Sequence, residues 1–345
     1  MEQRSTLHGC IGHHLAGDPR PAATAAVVLS LATAAIELSD IIAAGSLMEV
    51  AGGDIGINAG GDQQTQIDVF ADALFCGALR AAPVAAVLSE ERPLPVVMTD
   101  GAPLCIAIDP LDGSANLDNN ISVGTIFSIR PRGRDALSAF FEPGTAQCAA
   151  GFFIYGPQTL LVLALDRRVD VYGLDRQQRE FVLIRPNLVV PAHTTEYAIN
   201  ASNRRHWSRA VRGYIDDCVA GSTGERGSDF NMRWIGSLVA EAYRILVRGG
   251  IFLYPADARQ GYREGRLRLL YEAHPIALIM EWAGGAASTG RARILELSAQ
   301  SPHQRVPLIM GSTRLVRDVD AIHEGVEPLF ESGDAPLFAR RGLFR

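Results

Sequence analysis

The sequence predicts a layered α/β protein with mixed sheets in two units, and three observations carry that prediction. Segments with apolar residues at helical spacing alternate with apolar runs of strand length in both halves of the chain. A length of 345 residues, at roughly 150 residues per domain, points to about two domains. A composition of 48% hydrophobic and 20% charged residues is that of an ordinary soluble globular chain with a large core.

Pro21 fits a first helical turn, and Val27, Leu31, Ala34, Leu38, Ile41 and Ile42 recur at helical spacing until Gly45 stops the pattern. The most apolar part of this helix meets Glu37 and Asp40 before the roughly 18 residues that a membrane span needs, so it reads as a core helix. From 45 to 61 six glycines predict a long loop, of the kind that is usually functional or disordered. A second helix is expected over 63–79, with Ile67, Phe70 and Leu74 inward and Asp68 near its first turns.

Apolar runs at 84–88, 104–108, 123–129, 149–155 and 160–165 read as buried strands. A linker around 185–191 divides the chain into units 1–188 and 189–345. In the second unit Trp207, Val211, Tyr214, Ile215 and Cys218 mark one helix and residues 238–247 another. Strands at 250–254 and 267–271 and a helix over 275–282 follow. The segment beyond Leu315 shows no pattern.

All 32 basic residues are arginine. The absence of lysine excludes pyridoxal phosphate and Schiff-base chemistry, and a Walker A loop with them. A net charge of -6 gives no support to a nucleic-acid partner. Five cysteines (Cys10, Cys76, Cys105, Cys148, Cys218), odd in number and never in a C-x-x-C pair, are expected to be reduced thiols. No secretory signal is evident, and the expected location is the cytoplasm.

The chemistry sits in carboxylates at strand ends. Glu90 and Glu91 follow the run 85–88, and adjacent carboxylates repel unless a cation lies beside them. In residues 109–114 (DPLDGS), Asp109 ends one strand, Pro110 fixes its exit, and Asp112 follows three residues on. That spacing can place two hard oxygen ligands around one divalent ion. Gly113, Ser114 and Ala115 could turn their N–H groups toward an anion as a nest does. An EF-hand does not fit, because counting from Asp112 its glycine and glutamate positions hold Leu117 and Val123. Glu272, Asp62 and Asp68 taken singly read as helix-start acids.

Together these residues form blocks that resemble the class I fructose-1,6-bisphosphatase family. The blocks are 105–118 (CIAIDPLDGSANLD), 122–127 (SVGTIF), 61–68 (GDQQTQID), 88–91 (LSEE), 236–240 (GSLVA), 249–255 (GGIFLYP), 265–272 (GRLRLLYE) and 303–307 (HQRVP). They span nearly all of the chain. The resemblance implies a five-layer α/β/α/β/α fold and magnesium-dependent hydrolysis of fructose 1,6-bisphosphate, in gluconeogenesis or the Calvin cycle, with sedoheptulose 1,7-bisphosphate as a further substrate left open.

By similarity, Glu90, Asp109, Asp112 and Glu272 would ligate two or three Mg2+ ions, with Mn2+ as a substitute and the Leu111 carbonyl completing one site. Glu91 and Asp68 would orient and deprotonate the attacking water, with Asp62 a weaker third. Asp112, Gly113, Ser114 and Ala115 would hold the 1-phosphate end. Asn200, Arg233, Tyr254 and Arg266 would hold the 6-phosphate, Arg233 reaching in from a neighbouring subunit of a homotetramer. Three positions depart from the better-known members: Asn203 and Trp234 replace tyrosines and Arg266 replaces a lysine.

The family's AMP site looks eroded at 15–21 and at Ala102 and Pro103, which predicts weak AMP inhibition, and a missing cysteine-bearing insertion predicts no redox switch. The inositol monophosphatase group shares an Asp-Pro-x-Asp-Gly element, but blocks 249–255 and 265–272 favour the bisphosphatase. A sensor that binds sugar phosphate without turnover is the reading from outside the enzymes.

Overall fold

A computed structural model of the chain describes residues 5–12, 19–45, 54–57 and 63–324. Helices α1 (Leu7–Ile11) and α2 (Pro19–Ala44) are followed by a small antiparallel pair, β1 (Asp54–Ile57) and β2 (Gln63–Thr65), and by α3 (Gln66–Leu79). Then come β3 (Val84–Ser89), β4 (Val96–Val97), β5 (Leu104–Asp112), β6 (Val123–Pro131), β7 (Ala149–Tyr155), β8 (Thr159–Leu165), β9 (Arg168–Asp175) and β10 (Glu180–Arg185). These eight form one sheet in the order β10-β9-β8-β7-β6-β5-β3-β4, antiparallel except where β3 meets β5.

The chain continues through β11 (Glu196–Ile199), α4 (Arg209–Ala220), β12 (Asn231–Met232), α5 (Leu238–Arg248), β13 (Ile251–Tyr254), β14 (Leu267–Arg268), α6 (His274–Trp282), β15 (Ala286–Ser288), β16 (Arg305–Val306), β17 (Leu308–Gly311) and α7 (Thr313–Glu324). The second sheet has the order β12-β11-β13-β17-β15, and β14 pairs with β16 apart from it.

Strand alternation sends neighbouring residues to opposite faces of a sheet, and that produces five layers. Ile106, Ile108, Phe127 and Phe153 face α2 and α3. Ala107, Ile126 and Phe152 face the other way, against α5, α6 and the inner face of the second sheet at Ala198, Phe252 and Met310. The outer face of that sheet, at Tyr197, Ile199 and Ile251, carries α4 and α7. The order α/β/α/β/α agrees with the expected fold class. Helix α2 is long and apolar enough to cross a membrane by length and composition, but Val27, Val28, Leu31 and Leu38 are fully buried in the first core.

Several elements differ from expectation. Within the glycine-rich stretch, residues 54–57 are a strand rather than loop, and most of the remainder, with Asp62, lies outside the described residues. Helix α3 starts at Gln66 rather than 63 because Asp68 reaches back to the Thr65 N–H and hydroxyl, both 2.7 Å from its Oδ2. The strand expected over 267–271 is two residues long. A π-helical turn, Leu269–Ala273, replaces the rest and runs into α6, with the Glu272 carboxylate accepting the Arg268 N–H. Strands β9 and β10 and helix α7 carry no strong sequence pattern, since the strands are half-exposed and α7 buries only Leu315, Val316 and Val319.

Candidate active site

The site lies where β3, β5, the π-turn and the start of α5 meet. Strand β5 is bulged: Asp109 pairs with Ile126 but Asp112 pairs with Gly124, so three steps on β5 answer two on β6. In a regular strand residues i and i+3 face opposite sides, and the extra residue brings both aspartates round to one side. The bulge is held by Asp109 Oδ1, which accepts the Leu111 N–H at 3.1 Å, and by Thr125, whose hydroxyl donates to the Pro110 carbonyl at 2.8 Å. Gly124 then lets α5 approach. A Cβ there would lie 2.4 Å from the Phe153 carbonyl oxygen and 2.6 Å from Val239 Cγ1. With α5 this close, the N–H groups of Val239 and Leu238 face the Asp112 carboxylate, as helix N-termini do for anions.

The resulting cavity, about 400 Å³, is lined by Asp68, Glu90, Glu91, Asp109, Leu111, Asp112, Gly113, Ser114, Ala115, Tyr254, Arg266 and Glu272 among others. Carboxylate oxygens of Asp109, Asp112 and Glu272 lie within 4.8 Å of one another. Three buried acids this close oppose one another's ionisation. Burial first, then Glu90, raise the Asp112 carboxyl to about 7. Asp109 is pushed well above the usual range by burial and by Glu90, Asp112 and Glu272. Burial, Glu90 and Asp68 likewise lift Glu91 to about 7, while Gln64, 2.5 Å from its Oε2, holds it down. Asp68 is raised by burial, partly offset by Thr65.

Two buried oxygens, Asp68 Oδ1 and Asp112 Oδ2, have no hydrogen-bond partner. An oxygen-only set of clustered carboxylates with an unsatisfied member fits a hard divalent cation. The backbone beside it is suited to an anion: Gly113 is left-handed at φ 76° and opens the 3-10 turn Ser114–Asn119.

Sequence reasoning missed Arg268. Its side chain is buried, with Nη2 3.6 Å from Glu90 Oε1 and Nη1 donating to the Arg266 carbonyl at 3.0 Å. An arginine inside an apolar run was the available signal. Trp234 also lines the cavity, its ring stacked on Phe252 at 5.8 Å and on Tyr254 at 6.1 Å between centroids.

Tyr254 and Arg266 also line a small adjoining cavity with Asn200 and Asn203. The Arg266 side chain faces the Tyr254 hydroxyl, whose pKa burial raises. Arg233 lines neither cavity of its own chain; it is half-exposed, 3.8 Å from Glu196.

The sequence model described as "Fructose-1-6-bisphosphatase, N-terminal domain" matches residues 10–186, and the C-terminal domain model of the same family matches residues 190–324. A class 1 fructose-1,6-bisphosphatase of Bradyrhizobium sp. (strain BTAi1) is 68% identical, covering 100% of this chain and 98% of that protein. One from Nitrobacter hamburgensis is 54% identical over the whole of both. Among solved structures, Leishmania major fructose-1,6-bisphosphatase in holo form superposes with a TM-score of 0.86 at 33% identity, covering 93% of this chain and 99% of that one. The acid cluster, the bulge that builds it and these matches agree, and the chain belongs to the class 1 fructose-1,6-bisphosphatase family.

Proposed function

We propose that this chain is a phosphoric monoester hydrolase that converts fructose 1,6-bisphosphate to fructose 6-phosphate and inorganic phosphate. The observation that carries this reading is one cavity with six carboxylates and a left-handed N–H turn at one end and Tyr254 with Arg266 at the other. A sugar with a phosphate at each end matches that polarity.

Glu90, Asp109, Asp112, Glu272 and the Leu111 carbonyl would hold two or three Mg2+ ions, with Mn2+ as a substitute. When bound, these ions neutralise the ester phosphate and stabilise the charge that develops on its oxygens. The side chains supply the rest. Gly113, Ser114 and Ala115 fix the 1-phosphate through their N–H groups. Water attacks phosphorus in line with the C1 oxygen, and Glu91, oriented by Gln64, accepts the proton with Asp68 beside it. The P–O bond to the sugar breaks, the C1 oxygen leaves as an alkoxide that takes a proton from solvent to become a hydroxyl, and Glu91 returns the proton it accepted to solvent, so that water adds across the bond with no net change in protons.

Rate enhancements for phosphate monoester hydrolysis approach ~10²¹, whereas one general base supplies about 10² to 10⁴. Electrostatic stabilisation must therefore provide most of the acceleration. Asn200, Tyr254 and Arg266 hold the 6-phosphate. Arg233 would complete that pocket in the neighbouring subunit of a homotetramer, in keeping with its position outside its own chain's cavities. The chain divides near residue 188 into a unit bearing the acids and a unit bearing the distal pocket, and it acts in the cytoplasm. AMP inhibition is weak, on the reading of Ala102 and Pro103.

Phosphate release from fructose 1,6- and sedoheptulose 1,7-bisphosphate, measured with Mg2+ and after chelation, tests the proposal. Metal-dependent release from the fructose ester is expected. Tight binding without release would favour a sensor, and faster release from the sedoheptulose ester would reassign the substrate.

A further inference from the structure

The loop between Tyr254 and Arg266 carries an arrangement that the roles assigned above do not use. The guanidinium carbons of Arg259 and Arg266 both lie over the ring of Tyr262, 4.2 and 4.7 Å from its centroid. Arg259 is also gripped by Asp257, whose two carboxylate oxygens each take its Nε–H at 3.0 Å, so its charge is already matched. Arg259, Tyr262 and Arg266 share the small cavity with Asn200 and Asn203.

The loop is fastened on three sides. Asp257 bridges Trp207, and the Ala258 N–H reaches the His206 carbonyl at 3.1 Å, which ties the loop to the segment that follows Asn200. The Tyr262 carbonyl accepts from both Asp257 at 3.1 Å and Gly265 at 3.0 Å. At Gly265 (φ +87°) a Cβ would fall 2.1 Å from the Val306 carbonyl carbon, so β16 clamps the far end of the loop.

We propose that Tyr262 is a positioning residue for substrate selectivity: its ring holds the Arg266 guanidinium in the plane needed to grip the phosphate at the far end of the sugar. A guanidinium has many rotamers, and fixing one before the ligand arrives removes part of the ordering cost of binding. A face-on contact of this kind contributes between about twofold and thirtyfold in an equilibrium constant, depending on desolvation. The inference rests on the reading that Arg266 contacts the distal phosphate.

The test compares Tyr262→Ala, Tyr262→Leu, Tyr262→Phe and Arg266→Ala in the full-length enzyme, with fructose 1,6-bisphosphate and with fructose 1-phosphate, which lacks the distal group. Tyr262→Ala and Tyr262→Leu should raise KM for the bisphosphate roughly tenfold, with kcat within about twofold and fructose 1-phosphate kinetics unchanged. Tyr262→Phe keeps the ring and should behave as the parent. The leucine variant fills the volume without a π face, so it separates lost stacking from a collapsed loop. An unchanged bisphosphate KM in both ring-deleted variants, with a raised KM in Arg266→Ala, overturns the role of Tyr262 and leaves the distal-phosphate reading standing. An unchanged KM in Arg266→Ala overturns that reading and the inference with it.

Discussion

Binding of Mg2+ to this site should displace protons, and the pH at which it does so follows from the crowding of the acids. In the metal-free chain Asp112 titrates at about 7 and Asp109 above the ordinary carboxylate range. At pH 6 a carboxyl with that midpoint is roughly 90% protonated, and a hard cation requires the ionised form. Each pH unit below 7 should then weaken apparent Mg2+ affinity about tenfold per displaced proton, ~1.4 kcal/mol. With Asp112 and Asp109 acting as one titrating pair, the logarithm of the association constant should climb with a slope between ~1 and ~2 over pH 5.5 to 7 and become shallower above about 8, where Asp112 is ionised.

The stability effect has the opposite sign to a salt-bridged carboxylate. Because the folded pKa lies above the unfolded one, the native chain holds more protons between about 4 and 7. Metal-free stability therefore falls as pH rises through that window. Added Mg2+ should raise Tm more at pH 8 than at pH 5.5. Isothermal titration calorimetry at pH 6.5 in two buffers of different ionisation enthalpy counts the protons released. Zero release, together with an affinity flat from pH 6 to 8, would show that the acids are already ionised and that their crowding does not hold protons.

Four substitutions probe the architecture. Glu90→Gln should abolish turnover while circular dichroism and Tm stay near the parent, and retained activity at saturating Mg2+ would sink its assignment as a ligand; Glu91→Gln should lower kcat by about 10² to 10⁴ with little change in KM. Gly124→Ala forces a methyl to within 2.4 Å of a backbone oxygen, so thermal unfolding should report a loss of about 1 to 3 kcal/mol, and the N–H groups of α5 should retreat from Asp112, lowering kcat. Arg130 is fully buried and donates to the Glu142 carbonyl at 3.0 Å while its Nη2 meets His274 Nδ1 at 2.7 Å; Arg130→Met strands these groups and should cost ~3 kcal/mol in denaturant unfolding.

What the sequence disclosed depends on where the information lies. Strands β5 and β6 were legible because their residues are buried on both faces, which writes an apolar run into the chain. The acids could be named from their blocks, and the spacing of Asp109 and Asp112 allowed a shared ion, but spacing alone does not put the two on one face of a strand. That requires the bulge, whose partners Thr125 and Gly124 sit on the next strand. The strand expected over 267–271 failed for a related reason. Apolar residues in a π-turn buried on all sides look like a strand, and the Arg268 N–H bonding to the Glu272 carboxylate decides between them. Helix α7 stayed hidden because three buried residues among charged ones make too narrow a stripe to separate from a tail.

The absence of lysine constrains the site more than its charge total suggests. An ammonium is a point charge that could serve the distal phosphate from many rotamers, whereas a guanidinium is planar and acts through orientation. A chain that uses arginine there gains from a fixed plane, and the ring of Tyr262 lies against Arg266 where such a plane would be set. Arginine also keeps its charge across the working pH range. His274 and His303, hydrogen-bonded to Arg130 and to the Tyr271 hydroxyl, are both pushed below their ordinary pKa by burial, and neither lines the cavity. Around the site, the cationic groups are thereby fixed, so the response to pH there falls to the pair Asp109 and Asp112 and to Glu91. A profile that tracked a histidine instead would place the controlling group outside this cavity.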